Sequence, residues 1–323
     1  MKVLIVTNMY PHEGYPFNGI FVYEQVKAIE KRYNDVSFDV FFINGTKSKI
    51  NYLKSIFKIN IALWKNKYDL VHIHFGLSGL YLIWPFRKKV PTLITFHGSD
   101  IQKESTHNYW IVKVSKYVAT KVDAAITLND KMNNLVRSLG CKTFKIPCSV
   151  DTGIFTATSN YREKTDGRTV KIVFPSNRER QVKNFPLFEE VIEILKTKYN
   201  LDIKYFELKN KSRVEIAKLY GEVDLLLLTS KSEGSPQVVK EAMSCNLPCV
   251  CTPVGDVVDL LDGVKYCYVS QHHDANELAE LAYKSIKREG SGINGIEKVL
   301  KLGIDENTIV ERVYRLYKDL CYS

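Results

Sequence analysis

Two acidic residues carry the clearest chemical signal in the chain. Glu233 and Glu241 follow the apolar run Asp224–Leu228, which is typical of a buried strand. Between them, Pro236 is a favourable first residue of a helix, with Ser235 as its N-cap. We therefore expect Glu233 on the loop beside unpaired backbone N–H groups and Glu241 two turns along the helix. A purely structural alternative exists, because acidic side chains also favour helix starts through the helix dipole.

Two basic residues form a second candidate site. Arg178 and Lys183 follow the apolar run Val170–Phe174 and precede Pro186, a residue typical of a helix start. A guanidinium group, an ammonium group and the amino end of a helix would converge there on an anion such as a diphosphate. On spacing alone, a solvated charged turn is an equally good interpretation.

A histidine follows a predicted strand in the first half of the chain. The run Thr92–Phe96 leads into His97, a glycine, a serine and Asp100. An imidazole beside a carboxylate can hydrogen-bond a sugar or orient a leaving group. The structural alternative is a histidine that caps the next helix, and the position at a strand end favours the functional interpretation.

The first strand is followed by a loop rich in glycine and proline that ends at Gly19. This loop lacks the G-x-G-x-x-G pattern of nicotinamide-binding enzymes, so an oxidoreductase loses its main support. Gly19 fits a simple turn and a ligand-facing position equally well.

Apolar runs separated by helical patterns predict parallel strands in an α/β fold. The candidate residues above follow the ends of these predicted strands. The first half contains six runs: Val3–Thr7, Phe38–Ile43, Leu70–His74, Thr92–Phe96, Ala124–Leu128 and Thr143–Ile146. The second half contains five: Val170–Phe174, Asp202–Phe206, Asp224–Leu228, Pro248–Cys251 and Tyr266–Val269. The polar stretch 156–168 between them is expected to be an interdomain linker. Helical spacing predicts crossover helices around residues 22–29 and 187–195 and a long terminal helix, Ile309–Leu320.

Length and composition agree with two globular domains. The 323 residues are 45% hydrophobic and 25% charged, which excludes disorder and low complexity. The longest stretch without a charged residue, Leu70–Phe86, has 17 residues and is too short and broken for a transmembrane helix. No signal peptide is recognisable at the amino terminus, and seven cysteines without a C-x-x-C favour reduced thiols, so we expect a cytoplasmic protein.

The net charge of +10 is unevenly distributed. Residues 1–150 hold 21 Lys and Arg against 10 Asp and Glu, a net charge of +11, whereas residues 151–323 have a net charge of −1. Within the basic half, Phe57, Ile61 and Trp64 recur at helical spacing among lysines, a pattern that can lie in a lipid interface. The alternative is an ordinary crossover helix whose apolar face packs on the sheet.

Taken together, these motifs resemble the GT-B retaining glycosyltransferases of family 4. Glu233 and Glu241 form that family's E-x7-E pair. Arg178 and Lys183 keep the R-x4-K spacing of its phosphate loop. Residues 95–100 are similar to its H-G-[ST]-D signature, and residues 146–155 resemble its Pro-x-G-Val-Asp…Phe hinge segment. The resemblance covers nearly the whole chain in the right order.

The sequence departs from the family pattern at three places. Asn184 stands where glycine is usual after the lysine, Cys148 and Ser149 replace Asn-Gly, and Asn246 replaces the glycine before Leu-Pro. None of these changes removes a side chain with an assigned chemical role.

The resemblance implies two Rossmann-like doubly wound domains that face a cleft. Residues 1–155 would bind the acceptor, residues 165–305 a nucleotide-diphosphate sugar, and residues 306–323 would form a helix that returns to the first domain. The enzyme would move a hexose-type sugar, with retention, from a UDP-type donor to a hydroxyl of a glycan, a lipid-linked glycan or a cell-surface polymer. Attack of the acceptor on the same face as the departing diphosphate is favoured, because the sequence offers no certain nucleophile.

The resemblance also assigns roles to individual residues. The catalytic groups would be His97, Arg178, Lys183 and Glu233. Donor binding would involve Gly19, Asn177, Arg178, Lys183, Glu233, Gly234, Ser235, Pro236, Gln237, Val238 and Glu241, and acceptor binding Asn18, His97 and Asp100. The basic pair would neutralise the leaving diphosphate, so neither a metal nor a cofactor is expected.

Two other functions stay open at this point. A binding protein could have kept the fold and lost activity, using its basic half on anionic membranes or polymers. A GT-B epimerase is compatible with the charge pattern, whereas a phosphorylase lacks its insertion and cofactor lysine. No nucleic-acid partner is expected.

Overall fold

The computed structural model describes residues 1–102, 109–157, 169–290 and 292–322. They form two α/β units. Unit 1 comprises Met1–Cys148 together with Asn307–Ser323, and unit 2 comprises Ser149–Glu306.

Unit 1 is built on a parallel sheet of six strands in the order β2-β1-β3-β4-β5-β6. The strands are β1 (Lys2–Thr7), β2 (Ser37–Phe42), β3 (Leu70–His74), β4 (Thr92–Thr95), β5 (Ala124–Thr127) and β6 (Thr143–Lys145). The helices are α1 (Ile20–Arg32), α2 (Ile50–Lys65), α3 (Tyr109–Ala119) and α4 (Asp130–Arg137), with a 3-10 helix at Gly76–Ile83.

Unit 2 is built on a parallel sheet of five strands in the order β11-β10-β9-β7-β8. The strands are β7 (Val170–Phe174), β8 (Ile203–Glu207), β9 (Leu225–Leu228), β10 (Cys249–Cys251) and β11 (Tyr268–Val269). The helices are α5 (Phe185–Thr197), α6 (Arg213–Glu222), α7 (Gln237–Ser244), α8 (Val257–Leu261), α9 (Ala275–Ile286) and α10 (Gly295–Leu302).

The last helix, α11 (Glu306–Tyr322), packs into the core of unit 1. Its buried side chains Ile309, Val313 and Tyr317 join a cluster that contains residues of β1, β3, β4 and α1. One face of the unit 1 sheet is therefore covered by a helix from the far end of the chain.

The structure confirms all eleven predicted strands and the doubly wound α/β class. The buried residues of α1 are the predicted Val22, Val26 and Ile29. The unit boundary lies before residue 149, because Val150 pairs with Asp305 and Phe155 is buried in the core of unit 2. Residues 158–168, most of the predicted linker, lie outside the described residues.

Each sheet has a point where the strand order reverses. In unit 2, β7 lies between β8 and β9, and in unit 1, β1 lies between β2 and β3. In open parallel sheets, ligands bind outside the carboxyl ends of the strands that flank such a point. The loops after β7 and β9, and those after β1 and β3, are therefore the positions where chemistry is expected.

None of the helices in the described ranges is long and apolar enough to cross a membrane. The described cysteines form no disulfide.

Candidate functional site

The two charged residues that flank the reversal point of unit 2 are in contact. Lys183 follows β7, Glu233 follows β9, and Lys183 Nζ lies 2.5 Å from Glu233 Oε1. The Ser230 hydroxyl donates to the same oxygen at 2.7 Å. Both charged side chains are largely buried, with 9% and 15% of their surface exposed. The structure thus brings together two residues that the sequence placed on separate loops.

Backbone contacts hold the two loops in register. The Thr229 hydroxyl donates to the carbonyl oxygens of Lys183 and Asn184, and the Lys231 N–H donates to the Val182 carbonyl at 2.8 Å. Asn184 has φ 54° and ψ 53°, the left-handed conformation. Asparagine tolerates this conformation better than other non-glycine residues, so it takes up the backbone that a glycine would. Asn246, the other asparagine in place of an expected glycine, has φ 53°.

Glu241 lies in α7 with 1% of its surface exposed, and its charge is paired with Arg213. Arg213 Nη1 donates to Glu241 Oε1 at 2.5 Å, and the guanidinium stands 4.7 Å from the centre of the Phe155 ring. Burial raises the pKa of Glu241, and the charge of Arg213 opposes this rise. The second oxygen, Oε2, is buried and has no hydrogen-bond partner among the described residues. An unsatisfied buried acceptor of this kind fits a ligand that brings a hydroxyl donor.

Arg178 is paired with a carboxylate at the end of the neighbouring strand. Its backbone N–H and its Nε donate to the two oxygens of Glu207 at 2.7 and 2.9 Å. The guanidinium is half exposed and lies 5.0 Å from the centre of the Phe185 ring. The structure therefore gives Arg178 and Lys183 separate acidic partners. Four N–H donors of the guanidinium remain besides the Nε bond, and they could serve an anion.

The start of α7 differs from the prediction. Pro236 occupies the N-cap position and the helix begins at Gln237, so Pro236 is not the first helical residue and Ser235 is not the cap. The Ser235 hydroxyl instead donates to Asp256 Oδ2 at 2.6 Å. The loop around Asp256 packs closely on the Glu233 loop. A Cβ at Gly255 would lie 2.8 Å from the Gly234 carbonyl oxygen.

The other predicted donor-binding residues lie around the same strand ends. Asn177 closes the turn after β7, because its Oδ1 accepts from the Glu179 N–H at 2.9 Å. Gln237 Nε2 donates to the Ser149 carbonyl, and Gln237 Oε1 is a buried acceptor with no partner among the described residues. Val238 is the second residue of α7, where backbone N–H groups point out of the helix end.

In unit 1, Asp100 orients the loop that carries His97. The Asp100 carboxylate is fully buried and accepts hydrogen bonds from the His97 N–H at 2.9 Å and the Gly76 N–H at 2.8 Å. Burial raises the pKa of Asp100 to about 6. Both carboxylate oxygens are thus engaged by backbone N–H groups, and the predicted contact of Asp100 with an acceptor stays a prediction. Asp100 connects the ends of β3 and β4.

His97 belongs to a row of three histidines. His97 Nε2 lies 3.3 Å from His74 Nδ1, and the rings of His74 and His72 are 4.2 Å apart. His72 bonds the Tyr317 hydroxyl at 2.6 Å and the Thr95 hydroxyl at 2.8 Å. Burial lowers the pKa of all three, so each ring is neutral at pH 7. His97 is partly exposed, whereas His72 and His74 are buried.

Gly19 has a structural reason to be glycine. It caps α1 with φ 63°, and a Cβ there would lie 2.2 Å from the Met9 carbonyl carbon. No other residue fits this conformation and this approach. Asn18 is half buried, and its N–H donates to the Tyr15 carbonyl at 3.2 Å.

Sequence reasoning missed three charged residues of unit 2: Glu207, Arg213 and Asp256. Glu207 is the last residue of β8, and Asp256 follows β10 by five residues. The strand-end rule used for Glu233 would have found both. Arg213 begins α6 behind the Ser212 cap, and nothing in its local pattern separates it from a solvated helix start.

The arrangement in unit 2 suits an anionic, hydroxyl-bearing ligand. Lys183 supplies a positive charge in a largely buried place, and Glu241 supplies a buried acceptor. Among the described residues, no group of three His, Cys, Asp or Glu side chains could hold a metal ion.

Two family profiles match the chain. The profile of Glycosyltransferase Family 4 matches residues 3–154, and the profile of Glycosyl transferases group 1 matches residues 193–287. Between them they span most of both units.

Individual proteins match over most of their length. The chain is 24% identical to an uncharacterized glycosyltransferase of Methanocaldococcus jannaschii, over 99% of each chain. It is 21% identical to a putative teichuronic acid biosynthesis glycosyltransferase of Bacillus subtilis, over 80% of this chain and 83% of the other. The crystal structure of Anabaena HepE with UDP-glucose has the same fold, with a TM-score of 0.71 at 14% identity, over 99% of this chain and 100% of that one.

Proposed function

Because the chain belongs to glycosyltransferase family 4, with the GT-B fold, we propose that it moves a hexose-type sugar from a nucleotide-diphosphate sugar to an acceptor hydroxyl. The observation that carries the proposal is the Lys183–Glu233 contact at the reversal point of the unit 2 sheet. The buried ammonium group can stabilise the charge on a leaving diphosphate, and the carboxylate beside it can accept hydrogen bonds from the hydroxyls of the sugar.

In this proposal, unit 2 binds the donor. Glu241 Oε2, the buried oxygen without a partner among the described residues, accepts from a ribose hydroxyl, while Arg213 holds the other oxygen. Glu233 accepts from hydroxyls of the donor sugar. The amino end of α7, from Gln237 to Val238, faces the diphosphate with its backbone N–H groups. A UDP-type donor is favoured because a protein of the same fold binds UDP-glucose.

Transfer proceeds with retention by attack on the face that the diphosphate leaves. The bond between the anomeric carbon and the diphosphate oxygen breaks, and the acceptor oxygen forms the new bond. The acceptor proton passes to the departing diphosphate oxygen. Lys183 and Arg178 stabilise the charge that develops on the diphosphate, so no divalent ion is needed.

Unit 1 binds the acceptor in this proposal. His97, a partly exposed residue with a neutral imidazole, follows β4, and Asn18 lies on the loop after β1. The acceptor is a hydroxyl of a glycan, a lipid-linked glycan or a cell-surface polymer. One relative is a putative teichuronic acid biosynthesis enzyme, which supports a polymer of this class. We place the enzyme in the cytoplasm, where nucleotide sugars are made.

A panel of nucleotide sugars, tested with a chelator present, provides the experiment. At least one donor should raise the melting temperature and, with a hydroxyl acceptor, release its nucleoside diphosphate. Proton NMR of the product should show the anomeric configuration of the donor. A nucleotide sugar isomerised without release would indicate an epimerase, and stabilisation without any turnover would indicate a binding protein.

A further inference from the structure

Helix α2 has two apolar faces, and only one of them is buried. Ile56, Ile59 and Leu63 pack into unit 1. The opposite side carries five apolar side chains that are each more than half exposed: Ile50, Leu53, Phe57, Ile61 and Trp64. At about 100° per residue, these five fall within an arc of roughly 80°. They form a continuous row, which we call the apolar stripe.

The apolar stripe continues onto the segment that follows the 3-10 helix. The Trp84 ring packs against Phe57 with the ring centres 5.1 Å apart, and Phe86 beyond it is 77% exposed. Lys88 fixes this segment against α2, because its Nζ donates to the Leu63 carbonyl at 3.0 Å. The exposed surface is therefore a built patch made from two parts of the chain.

Lysines border the apolar stripe on one side. Lys54, Lys58 and Lys65 are exposed and fall within roughly 40° of one another beside the stripe on the helix. Asp69 is the only acidic residue between Val40 and Ser99. The patch thus combines a large apolar area with an excess of positive charge, because Asp69 alone offsets the lysines in this part of the sequence.

The described part of unit 2 lacks such a surface. Among the described residues, its exposed large apolar side chains are Val214, Val258, Leu300 and Leu302, and none is aromatic. Scattered aliphatic side chains are normal on a protein surface, whereas a contiguous aromatic patch marks a binding surface. The asymmetry locates the binding surface on unit 1.

We propose that the apolar stripe docks unit 1 on an anionic lipid surface, with α2 lying in the plane of the interface. Phe57, Ile61 and Trp64 would enter the boundary between headgroups and acyl chains, and the lysines would meet lipid phosphates. A second copy of the chain fits less well, because a two-fold contact would bring two lysine rows together without facing acids. Lipid docking goes beyond glycosyl transfer and does not depend on it.

Flotation with vesicles tests the proposal. The protein should float with vesicles that contain phosphatidylglycerol, should not float with phosphatidylcholine alone, and should be released by high salt. Replacing Lys54, Lys58 and Lys65 with Glu should weaken capture by a factor of at least about a hundred, because loss of each lysine alone changes the affinity about fivefold and each glutamate adds repulsion. Replacing Leu53, Phe57 and Trp64 with Ser should abolish it.

Matched controls on unit 2 separate docking from general effects. Val214→Ser with Leu300→Ser changes exposed aliphatic residues, Lys196→Glu with Lys204→Glu changes exposed lysines, and both double variants should leave capture unchanged. All variants should keep the wild-type melting temperature and nucleotide binding. Capture that ignores lipid charge, or capture lost equally in the controls, would overturn the proposal. So would a wild-type dimer that the Ser variants convert to monomer without any vesicle binding.

A spectroscopic readout reports on insertion itself. With Trp84 and Trp110 replaced by Phe, the emission of Trp64 should move to shorter wavelength on anionic vesicles and become protected from a soluble quencher. Unchanged emission at saturating lipid would contradict insertion of the stripe.

Discussion

Replacing Lys183 with methionine tests the electrostatic part of the proposed chemistry. Methionine is unbranched and one atom shorter than lysine, so it keeps most of the apolar stem and removes the charge and the N–H donors. The loop should survive, because the Lys183 carbonyl accepts from the Thr229 hydroxyl and the Lys183 N–H donates to the Arg180 carbonyl. Glu233 would keep the Ser230 hydroxyl as its donor. The variant should therefore fold, with a lower melting temperature.

The expected loss of turnover follows from the position of the ammonium group. Two unit charges about 4 Å apart interact by ~4 kcal/mol at an effective dielectric constant of about 20. Only part of that energy is gained as charge develops on the leaving diphosphate. Removing one such donor typically costs about 2.7–4 kcal/mol, a factor of roughly 10²–10³ in kcat. We therefore expect kcat to fall at least about a hundredfold, with a smaller change in donor affinity.

Lys231→Met is the matched control. Lys231 lies in the same pair of loops, its side chain is exposed, and its structural contact uses the backbone N–H. Release of nucleoside diphosphate, measured under steady-state conditions, gives kcat for both variants. Equal kcat values for Lys183→Met and Lys231→Met would refute the assigned role of the ammonium group.

Further predictions concern binding, metal dependence, backbone and pH. Glu241→Ala should weaken nucleotide binding, measured by calorimetry, by at least about tenfold, because it removes the buried acceptor. A measurable melting temperature would show that the variant is folded, and an unchanged affinity would contradict the ribose assignment. Nucleoside diphosphate should bind equally well with and without a chelator, and a requirement for a divalent ion would show that the basic residues are insufficient. Gly255→Ala should lower the free energy of unfolding by about 1–3 kcal/mol more than Gly263→Ala. Both glycines have positive φ, but only a Cβ at residue 255 would meet backbone atoms. Equal losses of stability would contradict this prediction. Burial lowers the pKa of His72 to about 3 in the folded chain. Between about pH 6.5 and pH 3, His72 is therefore protonated in the unfolded chain and neutral in the folded chain, and this difference favours unfolding. Below pH 6, the free energy of unfolding of the wild type should thus fall by about 1.4 kcal/mol more per pH unit than that of His72→Leu. Denaturant titrations at several pH values measure both slopes, and equal slopes would be evidence against this.

The strands were predictable because of how they are buried. Strands covered on both faces appear as short apolar runs, and every run in this chain became a strand. Positions of loops at the carboxyl ends followed from the same pattern. The sequence could therefore place Lys183 and Glu233 at one edge of a sheet.

The contacts between residues far apart in the sequence could not be predicted from the sequence. The prediction of Ser235 as N-cap was reasonable locally, but Asp256, far along the chain, takes its hydroxyl. The same rule that found His97 also selected Asp100, and the sequence does not say that this carboxylate turns inward to backbone N–H groups. Tertiary contacts override local preference in both cases.

Helix α2 shows a different limit. Helical spacing of Phe57, Ile61 and Trp64 is equally consistent with a buried and an exposed face. The helix has a second apolar face with Ile59 and Leu63, and that face is the one that packs into the core. Periodicity finds apolar faces but does not decide which of two is buried.

Hydrogen–deuterium exchange with and without saturating UDP tests most directly the claim that the reversal point of the unit 2 sheet binds the donor. Bound UDP should slow exchange in peptides that cover residues 177–187 and 230–241, and should leave residues 50–65 unchanged. Protection confined to the loops after β1 and β3 of unit 1, with none in unit 2, would contradict the account.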